Sequence, residues 1–288
     1  MKFAVIGGDK RAEILCQLLS SDGHRVYTYA LEKAQLPKEV PKTGCLQGCI
    51  YGADYVILPV PAENGGVLSA PLSDEQLPIS ALTDALWEGQ ILCGGRFSDE
   101  TCRQAINGGV YIEDIMRRPT FAWGNAALTA EGAIGIMSRS SDASIAGSAV
   151  LITGWGRIGR LLSAKLRALG ANVTVASRRG DHRAEALSTG LSSCDYASLP
   201  AKAGEFSFVV NTVPARVLEE RTLCALKEDA VLIELASAPG GYDRTLCANM
   251  GLNSVAAPGI PGRYMPRSAA ELIRRSIYEI VDEQEERI

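Results

Sequence analysis

The chain has 288 residues, 47% of them hydrophobic, and a formal net charge of −4 at pH 7. This length can bury one large core or two ordinary ones, and nothing in the composition indicates disorder, so we expect two domains. The weak negative charge excludes a general attraction to nucleic acid or to an anionic membrane, and any anion-binding site must therefore be local.

The N-terminus predicts no targeting segment. Its first residues, MKFAVIGGDKRAE, pass from an apolar strand pattern directly into a turn, without the apolar region and cleavage site of a signal peptide. No stretch approaches the roughly 20 continuous apolar residues that a membrane helix needs. We therefore expect a soluble, cytoplasmic protein.

The first half of the chain alternates strand and helix patterns. KFAVIGG and HRVYTY have strand patterns, and the segment between them carries Ile14, Leu15, Leu18 and Leu19 at helical spacing. Three more strand patterns follow: ADYVILPVP, GQILCGG and GGVYIEDI. Strands separated by helices predict a parallel sheet covered on both faces, so we assign residues 1–124 to a Rossmann-like substrate domain.

The first turn, GGDKRAE, carries Gly7 and Gly8 but lacks a third glycine. A complete dinucleotide site is therefore not expected there. Lys10 and Arg11 follow at the start of the helix, where they could bind a small anion such as a carboxylate or could simply lie in solvent. The sequence leaves both alternatives open.

Residues 125–147 connect the two halves. Within them, NAALTAEGAIGIMSRS (residues 125–140) has high helix propensity, with Ile134 and Met137 as apolar anchors. We therefore predict a connecting helix followed by a short linker.

The pattern of strand, turn and helix begins again at SAVLITGWGRIGRLLSAKLRALG, and later strand patterns are VNTVPA, AVLIELAS and NSVAAPGIPG. We assign residues 148–266 to a second Rossmann-like domain and residues 267–288 to a C-terminal helix that packs on one of the domains. The apolar residues of this helix are Leu272, Ile273, Ile277 and Ile280. The predicted fold is α/β, with two doubly wound parallel-sheet domains joined by a connecting helix.

Gly154, Gly156 and Gly159 form a G-x-G-x-x-G motif between the strand AVLIT and an amphipathic helix. In such a motif the first glycine permits a tight turn, the second admits a pyrophosphate to the backbone, and the third lets the helix pack on the strand. The N–H groups and the positive dipole of the helix N-terminus attract the phosphates. We therefore predict dinucleotide binding by this turn. The residues between the glycines, predicted to line the same site, are Trp155, Arg157 and Ile158.

The following strand, NVTVA, ends in Ser177, Arg178 and Arg179, where an aspartate or glutamate would hold the ribose hydroxyls of NAD. Arginine at this position accommodates the extra phosphate of NADP, and serine can donate a hydrogen bond. NADP is therefore the predicted cofactor, with NAD as the alternative. The non-functional interpretation is a solvated basic loop tip.

Other strand ends predict the surroundings of the nicotinamide, because ligands of such sheets gather at the carboxyl ends of the strands. FVVNTVP ends a strand with Asn211, Thr212, Val213 and Pro214, which we predict to line the nicotinamide ribose. ELASAPGG and APGIPGRYMP add Pro-Gly turns suited to shaping a cleft, and Arg263 lies in the second of them.

Residue types that often carry reaction chemistry are scarce. Eight cysteines are scattered, with only Cys45 and Cys49 close together, so we expect structural thiols and no metal site. The two histidines are His24, at the entry of a strand, and His182, in a predicted loop. This scarcity argues against a Ser-His-Asp triad and against the histidine acid or base of 2-hydroxy acid dehydrogenases.

Several segments together resemble the A subunits of bacterial dipicolinate synthases. They are VIGGDKR, NAALTAEGAI, GWGRIGR with ASRR, ELASAPGG and APGIPGRYMPRSAAELI. The resemblance keeps the order of these segments and spans essentially the whole chain. The glycine motif alone is generic, whereas the connecting helix combined with the two Pro-Gly turns is more specific.

The resemblance implies a two-domain oxidoreductase of spore-forming bacteria. Such an enzyme would use a nicotinamide cofactor to oxidise dihydrodipicolinate, derived from 4-hydroxy-tetrahydrodipicolinate of the lysine pathway, to pyridine-2,6-dicarboxylate. It would work in the mother-cell cytoplasm during sporulation with the flavoprotein-like B subunit of dipicolinate synthase, and we expect an oligomer. Because the product is aromatic, this oxidation needs less help from an enzymic base than alcohol oxidation does, which suits a chain poor in histidine.

Two substrate carboxylates would have to be held beside the nicotinamide, which predicts cations and hydrogen-bond donors around a cleft between the domains. The candidates for this role are Lys10, Arg11, Arg96, Asn125, Thr129 and Arg263. For each alone, a surface position without function is an equally good interpretation. Glu131 and Asp114 are weaker candidates for the proton acceptor.

Two rival functions share the same cofactor motif. One is another two-domain NADP-dependent dehydrogenase with a different small substrate, such as a cyclic imine or an amino acid. The other is a non-catalytic protein that binds NADP(H) as a redox sensor or scaffold while a partner performs the chemistry. Substrate profiling would identify the first, and cofactor binding without hydride transfer would favour the second.

Overall fold

The computed structural model describes residues 1–286 and divides into two compact units. The first unit comprises Met1–Asn125 together with the C-terminal segment from Met265, and the second unit comprises Ala126–Tyr264. The C-terminal helix therefore belongs to the first unit, although the second unit precedes it in the chain.

The first unit alternates strands with helices, because short runs rich in Val, Ile and Tyr are separated by amphipathic segments. A 3-10 turn at Ile115–Arg117 leads from its last strand into the connecting helix. Its elements in chain order are β1 (Lys2–Ile6), α1 (Lys10–Ser21), β2 (Arg25–Tyr29), α2 (Leu46–Ile50), β3 (Tyr55–Ile57), β4 (Glu63–Asn64), β5 (Val67–Leu68), α3 (Ile79–Ala85), β6 (Ile91–Gly94), α4 (Asp99–Asn107) and β7 (Tyr111–Asp114).

The connecting helix and the second unit continue the same alternation, with a 3-10 turn at Ala203–Glu205. The elements are α5 (Pro119–Ser140), β8 (Ala149–Thr153), α6 (Arg157–Ala168), β9 (Asn172–Ala176), α7 (Gly180–Ser188), β10 (Ser192–Cys194), α8 (Leu199–Lys202), β11 (Phe208–Asn211), α9 (Glu220–Cys224), β12 (Val231–Glu234), α10 (Arg244–Asn249), β13 (Asn253–Ala256), α11 (Ile260–Tyr264) and finally α12 (Pro266–Glu285).

The first unit is built on a five-stranded parallel sheet with strand order β2-β1-β3-β6-β7. In this arrangement the direction of winding reverses between β1 and β3, which is where doubly wound sheets bind ligands. The strands read as near-continuous apolar runs because both faces are buried; Ala4, Val56 and Leu92 have no exposed surface. The short strands β4 and β5 form a separate antiparallel pair.

The second unit is built on a six-stranded parallel sheet with strand order β10-β9-β8-β11-β12-β13. This is the order of the Rossmann fold, with the reversal of winding between β8 and β11. All residues of β11 and β12 are buried, as expected of central strands. The predicted fold class, two doubly wound parallel sheets with helices, is confirmed.

The connecting helix α5 begins at Pro119 rather than at residue 125, where the sequence pattern placed its start. Proline suits the first helical position because its fixed φ is helical and its missing N–H would have no helical partner there. The N–H of Ala122 donates to the carbonyl oxygen of Arg118, which starts the helical bonding upstream of the predicted start.

The C-terminal helix α12 packs against α1 within the first unit. Its apolar stripe is buried, and two of its polar residues bind the end of α1: Arg274 and Tyr278 both donate to the carboxylate of Asp22. The buried residues of the stripe are Leu272, Ile273, Ile277 and Ile280. The spacing that predicted this helix therefore also predicted the face that it buries.

We expect Ile277→Ala to lower the free energy of unfolding of the first unit by about 2–4 kcal/mol, because Ile277 has no exposed surface and its truncation leaves a cavity. Arg275→Ala, at an exposed position on the same helix, should change it by less than about 0.5 kcal/mol. Urea denaturation followed by circular dichroism measures both. Equal effects of the two substitutions would show that α12 contributes no packing energy.

Candidate functional site

The glycine-rich turn after β8 starts at Gly154, whose φ of +94° lies in the left-handed region that favours glycine. Its N–H donates to the carbonyl oxygen of Ala176 at the end of β9 (2.9 Å). A Cβ at Gly154 would lie 2.7 Å from both Thr212 Oγ1 and Val213 Cγ2. The first glycine therefore lets the turn pack tightly against the segment that follows β11.

The other two glycines of the motif differ in the space around them. A Cβ on Gly159 would lie 2.3 Å from the carbonyl oxygen of Gly154, so α6 can approach β8 only without a side chain there. A Cβ on Gly156 would meet nothing within 4 Å, and this N-cap residue gives α6 no side-chain cap. The first-turn N–H groups of α6 and the space beside Gly156 together fit a pyrophosphate.

Trp155 adds a further donor to the turn. It is 5% exposed, and its indole Nε1–H has no hydrogen-bond partner within residues 1–286. The guanidinium carbon of Arg160 lies 5.8 Å from the centroid of the indole ring, within reach of a cation–π contact. In the first turn of α6, Arg157 is exposed and Ile158 is half-buried. The turn thus combines an exposed cation with donors that lack partners, which is the chemistry that a phosphate group requires.

The three polar residues that follow β9 differ in how far they are buried and in whether they have a partner. Ser177 is 4% exposed, and Arg183 holds the backbone there by donating to the carbonyl oxygens of Ser177 (2.8 Å) and Arg178 (3.0 Å). Arg179 is paired with Asp181, and this pairing lowers the pKa of the Asp181 carboxyl. The exposed side chain of Arg178 makes no hydrogen bond or ion pair within the described part of the chain. Of the two arginines that follow β9, Arg178 is therefore the one whose charge is unmatched, meaning that no carboxylate of the described residues pairs with it.

At the end of β11, Asn211 is completely buried. Its amide donates to the carbonyl oxygen of Val213 (2.9 Å) and to Glu234 Oε1, and its Oδ1 accepts from the hydroxyl of Thr153. The side chain of Asn211 is thus engaged inside the protein, whereas the neighbouring segment keeps exposed surface. The residues of that segment are Thr212, Val213 and Pro214.

The cations at the first turn of the first unit are paired within their own helix. Arg11 makes a bidentate contact with Asp9, with Nε to Oδ1 at 2.9 Å and the terminal nitrogen to Oδ2 at 2.9 Å. Asp9 also caps α1 by accepting from the N–H of Arg11 (3.0 Å). Lys10 forms an ion pair with Glu13. The positive end of α1 therefore already contacts a carboxylate of the chain itself.

Arg96 follows β6 and borders a groove of about 840 Å³ in the first unit. Its φ of +59° is unusual for a residue with a side chain, and its N–H donates to Asp114 Oδ1 (3.1 Å), which holds this conformation. Asp114 also accepts from the N–H of Met116 (2.9 Å). The side chain of Arg96 is exposed to the groove without an ion pair among the described residues. The other polar residues that line the groove are Glu63, Asn64, Ser69, Ser80, Ser98, Glu100, Thr101 and Gln104.

Glu63, which sequence reasoning missed, lies in the same groove at the N-terminus of α4. Its Oε1 accepts from the N–H of Ser98 (2.8 Å) and from the hydroxyl of Thr101 (2.7 Å). This carboxylate complements the positive end of the helix dipole. Arg96 therefore stands in a groove whose helix N-terminus is already neutralised.

Other predicted residues lie on α5 and α11. Asn125 is half-buried and Thr129 is buried, four residues apart and thus on one face of α5, while Glu131 is exposed. Arg263 is exposed, but the structure places it in helix α11 and not in a turn, which corrects the prediction. The N–H of Arg263 donates to the carbonyl oxygen of Gly259, because Pro261 is tolerated in a first helical turn.

Burial disfavours the charged forms of His24 and of two cysteines, and His182 lies beside a candidate cofactor residue. Burial lowers the pKa of His24. His182 lies in the first turn of α7 and not in a loop as predicted, with Nδ1 3.4 Å from the hydroxyl of Ser177. Burial raises the pKa of Cys49 to about 12 and that of Cys247 to about 11, so both thiols stay protonated at neutral pH.

Within residues 1–286, no group of three or more His, Cys, Asp or Glu side chains is arranged to hold a metal ion. No helix in the same range is long and apolar enough to cross a membrane.

The parallel sheet of the second unit, its glycine-rich turn and the uncapped N-terminus of α6 define a class of protein. Residues 123–253 match the family described as D-isomer specific 2-hydroxyacid dehydrogenase, NAD binding domain. The chain is an NAD(P)-dependent oxidoreductase with a nicotinamide cofactor, as the sequence predicted.

The particular protein that the chain resembles is the A subunit of dipicolinate synthase. Residues 2–116 match the family described as the N-terminal domain of this A subunit. The A subunit of dipicolinate synthase from Bacillus subtilis (strain 168) is 27% identical over 290 residues, covering 98% of this chain and 96% of that protein. The resemblance inferred from the sequence is confirmed.

Solved structures agree with this similarity. The crystal structure of the A subunit of dipicolinate synthase from Bacillus subtilis matches with a TM-score of 0.86 and 27% identity, covering 100% of this chain and 98% of that one. The corresponding protein from Bacillus halodurans matches with a TM-score of 0.85 and 23% identity, covering 97% of each chain. The second match supports the fold alone.

Gly156→Ala and Gly159→Ala form a matched pair that tests the turn. Gly156 has an ordinary φ and open space around it, so the first substitution should leave the melting temperature unchanged and weaken NAD(P)H binding about tenfold or more by crowding the pyrophosphate. Gly159→Ala should instead lower the melting temperature, because its Cβ meets a backbone oxygen.

Thermal unfolding and fluorescence titration with NADPH and NADH measure both effects. Unaltered binding of both dinucleotides by the Gly156→Ala protein would show that they bind elsewhere.

Proposed function

We propose that this chain is the A subunit of a dipicolinate synthase, which oxidises dihydrodipicolinate to pyridine-2,6-dicarboxylate with NADP⁺ during sporulation. The observation that carries the proposal is the similarity to the A subunit from Bacillus subtilis over 98% of the chain. Because the name of that relative designates one component of a synthase, we infer a partner, the flavoprotein-like B subunit, in an oligomeric assembly in the mother-cell cytoplasm.

The preference for NADP is supported by the end of β9. Arg178 has an unmatched charge, whereas Arg179 is neutralised by Asp181. An acidic residue that would hold the ribose hydroxyls of NAD is replaced there by Ser177, whose backbone Arg183 fixes. We therefore assign the 2′-phosphate to Arg178 and Ser177, with a smaller contribution from Arg179.

The groove of the first unit supports a role for Arg96 in binding a substrate carboxylate. An exposed guanidinium held by a left-handed backbone, in a groove that is also lined by hydroxyl and amide side chains and by two carboxylates, offers charge-assisted hydrogen bonds, and the hydroxyl and amide groups offer neutral ones. The support for Lys10 and Arg11 is weaker, because each is paired with a carboxylate of the chain. The other proposed contributors to substrate binding are Asn125, Thr129 and Arg263.

The proposed reaction balances as one hydride and one proton. A bound oxidised nicotinamide would supply the acceptor for the hydride that leaves one ring carbon of the dihydropyridine. A proton leaves a neighbouring carbon, and the products are the aromatic dicarboxylate, the reduced cofactor and a proton. Asp114 is occupied by backbone donors, whereas Glu131 is exposed and makes no hydrogen bond among the described residues. Glu131 and Asp114 are the candidates that we propose for the acceptor of the proton.

The direct test is NADP⁺ reduction with dihydrodipicolinate generated in situ, for the purified chain with and without a candidate B subunit. Reduced cofactor formed together with dipicolinate supports the proposal and shows which components are required. Reduction with another cyclic imine or an amino acid, and none with dihydrodipicolinate, would favour the rival dehydrogenase. Tight NADPH binding without reduction in either assembly would favour the sensor or scaffold.

Arg178→Ala should weaken NADPH binding about tenfold, because a charge-assisted contact with the 2′-phosphate is lost, and should change NADH binding less than about twofold. Arg179→Ala is the matched control, and its effect should be smaller because that guanidinium is already paired with Asp181. Fluorescence titration with both dinucleotides decides this. An unchanged NADPH affinity in the Arg178→Ala protein would refute the assignment.

Arg96→Gln should raise the KM for dihydrodipicolinate about tenfold, because one cationic contact with a substrate carboxylate is lost. The KM for NADP⁺ should stay constant. Arg103→Ala, at an exposed position on α4, is the control and should leave both constants unchanged. Steady-state kinetics with each substrate varied in turn measures this, and an unchanged KM for dihydrodipicolinate would remove Arg96 from the site.

A further inference from the structure

Glu234, the last residue of β12, is a buried carboxylate that makes no ion pair within residues 1–286. It is 6% exposed. Three N–H donors satisfy it: the amide of Asn211 at Oε1, the N–H of Ala236 at Oε1 (3.0 Å) and the N–H of Gly241 at Oε2 (2.7 Å). A carboxylate away from water is costly unless it is hydrogen-bonded in this way. Because burying a carboxylate costs free energy, its presence at this position calls for a functional explanation.

The position of this carboxylate in the sheet supplies one. Asn211 pairs in register with Thr153 of β8 on one side and with Glu234 of β12 on the other. The Thr153 hydroxyl donates to Asn211 Oδ1, and the Asn211 amide donates to Glu234, so the three side chains form a directed chain of hydrogen bonds. Thr153 and Asn211 lie at the carboxyl ends of β8 and β11, which flank the reversal of winding, where doubly wound sheets bind their ligands; Glu234 lies at the carboxyl end of the next strand, β12.

The network holds the segment after β11 against the glycine-rich turn. Asn211 binds both the N–H (3.2 Å) and the carbonyl oxygen (2.9 Å) of Val213. The Thr212 hydroxyl donates to the carbonyl oxygen of Thr153 (2.7 Å). Thr212 and Val213 are also the residues that leave no room for a Cβ at Gly154. A shift of Asn211 would therefore displace the segment that borders the first glycine of the cofactor motif.

The network also holds the segment after β12. Glu234 binds this segment near its beginning, at Ala236, and at its end, at Gly241. A Cβ on Gly240 would lie 2.9 Å from Glu234 Oε2, and one on Gly241 would lie 2.3 Å from Asn211 Cγ. Gly240 and Gly241 thus lie in close contact with the side chains of Glu234 and Asn211. The Glu234 carboxylate holds both ends of the segment.

We propose that Glu234, acting through Asn211 and Thr153, is a positioning residue that orients the two segments around the nicotinamide half of the cofactor. It acts through backbone and amide groups and does not itself contact the cofactor. All of its partners are donors, so the position requires a group that only accepts hydrogen bonds, which is a carboxylate and not an amide. The proposal rests on the dinucleotide site and is independent of the identity of the substrate.

Glu234→Gln tests the proposal, because glutamine has nearly the size of glutamate but places an N–H₂ group opposite N–H donors that need an acceptor. We expect NADPH and NADH to bind about tenfold more weakly, and 2′-phospho-ADP-ribose and ADP-ribose, which lack nicotinamide, to bind as in the wild type. Glu228→Gln, an exposed change in the same unit, is the control and should alter neither. Isothermal titration calorimetry of the full chain with the four ligands provides the comparison.

A loss of affinity that is equal for the dinucleotides and their nicotinamide-free fragments would overturn the proposal, since it would indicate a general structural defect. Unchanged affinity for all four ligands would overturn it as well. Should Glu234→Gln fail to fold, Thr153→Val and Thr153→Ser decide the matter: the valine protein should show the selective loss and the serine protein, which keeps the hydroxyl, should retain wild-type binding. The same behaviour in both would refute the role of the network.

Discussion

The approach of α6 to β8 is the contact on which the cofactor unit depends. A side-chain carbon at Gly159 would lie 2.3 Å from the carbonyl oxygen of Gly154, so the helix can take this position only because glycine is present. The close approach points the N-terminus of α6 at the space beside Gly156 and leaves its N–H groups uncapped. The same turn packs against Thr212 and Val213, so the segment after β11 lies in direct contact with it.

The candidate cations of this weakly acidic chain differ in whether a carboxylate of the chain pairs with them. Arg11 and Arg179 each have a carboxylate partner close in sequence, which reduces what they can offer to a ligand. Arg96 and Arg178 are exposed without such partners in the described residues. These two guanidinium groups lie at carboxyl ends of parallel strands, one in each unit, where ligands of such sheets bind. Local anion sites can therefore exist in a protein whose overall charge is negative.

The scarcity of histidine and of reactive cysteine suits chemistry that depends on position. In the reaction that we propose, removing a hydride and a proton from a dihydropyridine would produce an aromatic ring, so the driving force would come from the product and the protein would mainly orient the reactants. Rigid strand ends serve that purpose better than flexible loops. The buried hydrogen bonds from Thr153 to Asn211 and from Asn211 to Glu234 provide such rigidity, because every donor and acceptor that they use is satisfied.

The amino-acid sequence by itself determined the α/β class, the two parallel sheets, the cofactor turn and the buried face of α12, because these depend on periodicity and on glycines a few residues apart. Only the tertiary structure decided that Asn211 is engaged inside the protein, that Glu63 binds the N-terminus of α4, and that Glu234 joins two strand ends. These contacts connect residues that lie 23 or more positions apart, as with Asn211 and Glu234. No local pattern encodes such pairs: the register of neighbouring parallel strands brings Asn211 and Glu234 together, and the packing of the first unit brings Glu63 to α4.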